Sequence, residues 1–215
     1  MIIINTEQGS DEWRSFREGK ISGTKLGKLY AKSRKAGELF DTTKPNLQFY
    51  QVLAERLAIG TADGIEDISA MERGHTLEAE ALQAVSERLS IEFQSDGVWQ
   101  DNENPNYICS PDGYSKDLTK AVEIKCLSSA NHIKAIYEDE RPSDYDYQVY
   151  NYFMINPRLE VLYFAMYDPR FFSEELQLKI FEVTRADIQY ELERMEEVRN
   201  EAEQAINKFI EIISF

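Results

Sequence analysis

Cys109-Ser110-Pro111-Asp112-Gly113 and, after a short polar connection, Ala121-Val122-Glu123-Ile124-Lys125-Cys126-Leu127 are the stretches whose reading decides the fold. Side chains alternate faces along a strand, so Glu123 and Lys125 point one way while Ile124 points into the core. Val122, Ile124, Cys126 and Leu127 frame the two charges with apolar residues, and burying a charge without a partner or a task is costly. With Asp112 ending the neighbouring strand, three polar groups converge on one spot. The bland alternative is an exposed cross-strand ion pair, worth at most about 1 kcal/mol.

Outward from this centre, short runs with turn signals predict strands over Ile91 to Gln100, Tyr107 to Pro111 and Ala121 to Leu127, with Asp112-Gly113 and the polar connection that follows it suited to a hairpin between the last two, and further strands over Val161 to Tyr167 and Leu176 to Val183. Helical spacing marks Asn46 to Ile59, Ile68 to Leu89, Ser129 to Glu138 and Ser143 to Ile155. Ser10 and Ser22 can cap short helices running to about Glu18 and Ala31, and Lys32 to Lys44 reads as a loop. A final helix opens at Thr184 with a Thr-x-x-Asp capping box and carries an apolar stripe from Ile188 to Ile213. That stripe predicts packing on its own domain, with a subunit contact as the alternative. The order gives an α/β (α+β) class and one domain over residues 1–215.

Two carboxylates, Asp112 and Glu123, with one backbone carbonyl, that of Ile124, suit a hard cation such as Mg²⁺, with Mn²⁺ as the alternative. Such an ion polarises a phosphodiester and lowers the pKa of bound water, while Lys125 orients that water or, with its own pKa lowered, takes a proton. Glu78, on the helix rich in Leu77, Ala81 and Leu82, is a third candidate acid or else part of a solvated face. Gln148 and Tyr152 share one helical face, and the Gln148 amide is a candidate contact to the reacting groups.

The chain of 215 residues carries a formal net charge of −15, with 42% hydrophobic and 29% charged residues. That balance argues against a protein that coats nucleic acid non-specifically, and it leaves room for an enzyme that concentrates its cations in one channel. With two cysteines and two histidines, zinc hydrolase and iron–sulfur chemistry lack ligands, and neither a nucleophile elbow nor a phosphate loop occurs. No apolar run reaches membrane-spanning length and no signal peptide is recognisable, which predicts no membrane partner and a cytoplasmic protein, in the host cell if phage-encoded.

The P-D-x(10)-E-x-K spacing is that of the PD-(D/E)xK nucleases. Together with Gln8-Gly9-Ser10-Asp11-Glu12-Trp13, Arg17, Gly19-Lys20-Ile21-Ser22, Gly74-x-x-x-Glu78, Gln148-Val149 and Tyr167-Asp168-Pro169-Arg170, it makes the whole chain resemble the lambda-exonuclease-like (YqaJ-type) viral recombinase nucleases. The resemblance implies a restriction-endonuclease-like core with a central mixed sheet flanked by helices. It implies a 5′→3′ exonuclease that consumes one strand of linear double-stranded DNA, works with a single-strand annealing protein and assembles as a homotrimer. It makes Asp112, Glu123 and the Ile124 carbonyl metal ligands, Lys125 the water-positioning group, Glu78 an active-site acid, and Arg17, Thr24 and Ser110 the 5′-phosphate pocket. Where the family has a further phosphate-binding Arg, this chain has Asn131 and His132, with Lys134 just beyond. Trp13 reads as a core aromatic. Other readings are a PD-(D/E)xK endonuclease or structure-specific nuclease, and a non-catalytic module that binds DNA ends.

Overall fold

A computed structural model describes residues 1–30, 52, 68–127, 129–171 and 173–213. The predicted loop 32–44 and helix 46–59 lie outside the described residues, apart from Val52, which is helical and buried. Strand β1 (Ile2–Ile4) leads into helices α1 (Asp11–Arg17), α2 (Gly23–Tyr30) and α3 (Ile68–Leu89). Four short or central strands follow: β2 (Val98–Gln100), β3 (Ile108–Cys109), β4 (Gly113–Tyr114) and β5 (Lys120–Lys125). Then come α4 (Ser129–Glu138), α5 (Asp146–Ile155), β6 (Val161–Tyr167), α6 (Glu174–Gln177), β7 (Leu178–Thr184) and the long α7 (Gln189–Ile213).

The strands form an antiparallel sheet of order β1-β2-β3 and a mixed sheet of order β4-β5-β6-β7, in which β5 and β6 run parallel. Parallel neighbours need a crossover, which α4 and α5 supply. Strand β6 is buried on both faces, and its alternation sorts two cores: Leu162, Phe164 and Met166 join helices α2, α5 and α7, while Tyr163, Ala165 and Tyr167 lie under Ala81 and Val85 of α3. Ile188, in the 3₁₀ turn before α7, and Leu192, Met195, Val198, Ala205 and Ile206 of α7 are buried in the first of these cores, as the domain-packing reading expects. Its entry is a true capping box: Thr184 N–H donates to Asp187 Oδ2 at 2.8 Å and Asp187 N–H to Thr184 Oγ1 at 3.4 Å, around a 3₁₀ turn that precedes α7.

Two strand expectations change. The run from Ile91 is strand only over Val98–Gln100, with an isolated bridge at Gln94, because Asp96-Gly97 turns the chain. The hairpin into β5 does turn in the polar connection, but its first strand is Gly113–Tyr114 and not Tyr107 to Pro111: Gly113 and Tyr114 pair with Val122 and Ala121, and the turn is Ser115 to Thr119, tied by Asp117 to the Ser115 hydroxyl at 2.6 Å and to Thr119 N–H at 3.2 Å. A Cβ on Gly113 would meet Leu82 Cδ1 at 2.6 Å, so glycine there lets α3 approach without displacing the Leu82 side chain. The consequence is positional. Ser110-Pro111-Asp112 is the link by which the chain leaves one sheet and enters the other.

Candidate active site

Glu123 and Lys125 project from β5 onto the face covered by α5, whereas Val122 and Ile124 project under α3. Glu123 is 2% exposed, and its Oε1 lies 2.5 Å from Lys125 Nζ. This is not the exposed ion pair of the bland reading: in a desolvated setting, removing one partner leaves a buried charge uncompensated, a loss of roughly 3–5 kcal/mol. Asp112 comes in from the sheet-to-sheet link, and its Oδ2 accepts a 2.6 Å hydrogen bond from Ile124 N–H. In an extended strand N–H and C=O of one residue project to the same side, so the Ile124 carbonyl faces the same open edge beyond β4.

Helix α5 grips Glu123 from the other side. Gln148 donates through Nε2 to Glu123 Oε1, and one turn on the Tyr152 hydroxyl lies 2.5 Å from Oε2. A sequence signal for Tyr152 existed, its four-residue spacing from Gln148, but nothing in it showed that both side chains converge on one carboxylate. Tyr145 adds its ring at 4.8 Å from Lys125 Nζ. Glu78 of α3 lines the same cleft.

Burial, then Glu123 and Glu78, push the Asp112 carboxyl well above the ordinary carboxylate range, against Lys125 and the Ile124 N–H, which favour its ionised form. Burial pulls the Lys125 ammonium down, but Glu123 and Asp112 outweigh it and hold the pKa above 10.5. Without a bound ion the group is therefore a charged donor, suited to orienting and charge-stabilising work.

The opposite wall comes from the N-terminal helices. Ser10 caps α1 by accepting from Trp13 N–H at 3.1 Å, and α1 buries none of its residues. Arg17, in its last turn, donates through Nη1 to Ser110 Oγ at 2.6 Å, and its guanidinium lies 4.3 Å from the Trp13 ring centre. Trp13 is therefore not a core aromatic; it forms the cleft wall beside Arg17. A Cβ on Gly23 would meet the Gln148 Cα at 2.5 Å, so glycine lets α2 start hard against α5 and sets Thr24 at the cleft.

One cleft of about 290 Å³ is lined by Arg17, Thr24, Ser110, Glu78, Asp112, Glu123, Ile124, Lys125 and Gln148. Every candidate site residue named from the sequence thus meets in one place. Asn131, His132 and Lys134 do not line it. Asn131 and Lys134 line a separate depression with Tyr145, and Lys134 pairs with Glu138 at 3.7 Å. His132 is fully buried, with Nε2 2.8 Å from the Leu176 carbonyl, and braces the segment after β6. Asp168 and Arg170 are joined by two side-chain hydrogen bonds of 2.7 and 2.8 Å in that same segment.

Among the described residues no three His, Cys, Asp or Glu side chains form a metal shell on their own. The donor chemistry nevertheless suits a hard cation. Asp112, raised first by burial and then by two neighbouring carboxylates, sits among negative charge that a divalent ion would relieve, and Mg²⁺ binds through one or two carboxylates while keeping several waters. Asp112, Glu123 and the Ile124 carbonyl would hold it, with Glu123 exchanging part of its contact with Lys125 or Gln148 for the ion.

A mixed sheet with helices on both faces, opening where two sheets join onto a carboxylate–lysine cleft, defines a nuclease. The family model for the YqaJ-like viral recombinase domain matches residues 12–156, and the chain belongs to that family. Among solved structures it is similar to LHK-Exo in complex with dAMP, with TM-score 0.67 and 22% identity over 94% of this chain and 100% of that one. The alkaline exonuclease LHK-Exo from Laribacter hongkongensis gives 0.65 and 21% over the same shares. A phage related exonuclease from Haemophilus somnus 129PT gives 0.60 and 12%, over 91% of this chain and 95% of that one. These likenesses are of fold. No curated protein matches the chain in sequence.

Proposed function

We propose that the chain is a Mg²⁺-dependent 5′→3′ exonuclease that degrades one strand of linear double-stranded DNA and leaves a 3′ overhang for a single-strand annealing protein. The observation that carries this reading is the Arg17–Ser110 pair in the same cleft as Asp112, Glu123 and Lys125. A guanidinium with hydroxyl donors suits a terminal phosphate, because its hydrogen bonds to phosphate are charge-assisted and can be bidentate. A strand end seated there sets the next phosphodiester toward the carboxylates. Bound Mg²⁺ supplies Lewis acidity and an acidified water. Lys125 directs that water at phosphorus and stabilises the charge that develops on the phosphoryl oxygens. A new P–O bond forms as the bond to the 3′-oxygen breaks, so the shortened strand keeps a 5′-phosphate that refills the Arg17 subsite.

The subunit is a single domain, and assembly as a homotrimer would surround the duplex with several such clefts. The net charge of −15 makes DNA binding weak, dependent on the metal and sensitive to salt. No helix among the described residues is long and apolar enough to cross a membrane, and action in the host cytoplasm accords with that.

The experiment is digestion with Mg²⁺ of linear duplex bearing a 5′-phosphate, linear duplex bearing a 5′-hydroxyl, and covalently closed circle. Loss of the linear DNAs alone, with mononucleotides released from the 5′ end, is the expected result. Cutting of the circle would replace the reading with an endonuclease, and absence of metal-dependent turnover would replace it with a DNA-end-binding module.

A further inference from the structure

Tyr152 is fully buried, and its hydroxyl touches both halves of the cleft: Glu123 Oε2 at 2.5 Å and the Ser110 backbone carbonyl at 3.2 Å. Ser110 in turn accepts from Arg17 through its own hydroxyl at 2.6 Å. The link therefore runs from Glu123 through one phenol to Ser110 and on to Arg17. Gln148 holds the other oxygen of Glu123 and, among the described residues, makes no hydrogen bond to Ser110. The ring of Tyr152 is fixed independently, edge-on to Trp99 with centroids 6.1 Å apart, so the hydroxyl is carried on a rigid mount.

Resting on the exonuclease reading above, we infer that Tyr152 is a positioning residue that couples the cation-holding carboxylate to the strand-end subsite. The phenol has one proton. While it is given to Glu123, Oε2 is turned toward α5 and Oε1 is left to Lys125 and Gln148, which fixes how the carboxylate is presented. The Ser110 carbonyl accepts the weaker, 3.2 Å branch of the same proton, and this three-centre bond ties the spacing between that carboxylate and the anion held by Arg17 to the phenol. A misplacement of about 1 Å between reacting groups can cost about 10²-fold in rate. Occupancy of the end subsite is thus converted into rate through Tyr152, and Gln148 affects presentation of Glu123 alone.

The test compares wild type, Tyr152→Phe and Gln148→Met on the 5′-phosphate and 5′-hydroxyl duplexes across a Mg²⁺ titration. Wild type must digest linear duplex; if it does not, the exonuclease reading itself fails. Given that activity, Tyr152→Phe is expected to lower kcat about tenfold or more with KM for DNA nearly unchanged, to raise the half-saturating Mg²⁺, and to compress the rate ratio between the two ends. Gln148→Met is expected to raise half-saturating Mg²⁺ and to leave the end ratio as in wild type. Replacing Tyr152 by p-aminophenylalanine keeps shape and a donor, and is expected to recover rate and end ratio; it also serves if the Phe variant fails to fold. An unchanged kcat and end ratio in folded Tyr152→Phe, an equal loss of end ratio in Gln148→Met, or no recovery with the amino analogue would each overturn the coupling.

Discussion

The two walls of the cleft are built on different principles. On one side Glu123, Asp112 and Tyr152 sit on or against the mixed sheet, each under 10% exposed, with both Glu123 oxygens, Asp112 Oδ2 and the Tyr152 hydroxyl held by named neighbours. On the other side Arg17 and Trp13 ride on a seven-residue helix that buries nothing, and Thr24 is exposed. The buried wall is preorganised at the cost of crowding like charges, whereas the exposed wall is adaptable and adds little to stability. The lesson is that substitutions on the first wall should move chemistry and folding energy together, while those on the second should move substrate handling alone.

The largest break in that comparison is expected from Lys125→Ala. It removes the cation paired with Glu123 and the donor directed at the reacting centre. Loss of a preorganised donor of this kind costs on the order of 10²–10³ in kcat, and a group acting with its neighbours as a unit costs more. Measured as turnover of 5′-phosphorylated linear duplex, activity should fall at least 10²-fold while equilibrium binding of the duplex persists. Turnover equal to wild type would remove Lys125 from the chemistry.

Arg17→Ala is the intermediate case and sharpens the contrast. Its guanidinium holds Ser110 and stacks on Trp13 at the surface, so the melting temperature should shift by no more than about 1–2 °C, as expected of substitutions outside the core. The rate on 5′-phosphate ends should fall roughly tenfold or more toward that on 5′-hydroxyl ends, which should barely change, because a charge-assisted bond to phosphate is worth about 1.5–3 kcal/mol. Equal losses on both ends would show that Arg17 serves the strand generally and not its terminus.

This difference between the walls also explains what could be read in advance. Glu123, Lys125 and Asp112 were legible because alternation on an apolar strand is a local signal, and a charge in such a frame stands out. The bounds of α3 were legible for the same reason, in helical rather than strand periodicity. The short strand Gly113–Tyr114 was not legible because Gly113 looks like turn chemistry, whereas its lack of a side chain serves the tertiary approach of Leu82. Trp13 was misread because an aromatic on a short amphipathic helix usually faces a core, and only the whole fold shows that α1 has none to face. The contacts of Tyr152 and of His132 bridge positions far apart in sequence, Glu123 and Ser110 for one, Leu176 for the other, and no local pattern encodes them.

The smallest effect concerns stability, and it tests whether the crowding on the buried wall is real. Asp112 faces Glu123 and Glu78, with Lys125 and the Ile124 N–H on the favourable side, and its folded-state pKa lies above the unfolded one. A group of that kind binds more protons when folded, so without metal its contribution is favourable below the unfolded carboxylate pKa of about 4 and is lost as pH rises through the raised folded value. Asp112→Asn removes that ionisation and keeps an oxygen to accept from Ile124 N–H. Thermal unfolding in chelator at neutral pH should therefore show the variant a few degrees more stable than wild type, each kcal/mol being about 2–4 °C for a chain of this size. Added Mg²⁺ should raise the melting temperature of wild type and leave the variant where it was, since an ion that binds only the folded state stabilises by mass action. A variant less stable than wild type in chelator would mean that the Asp112 carboxylate is held favourably without a cation, and the buried wall would then owe nothing to the ion.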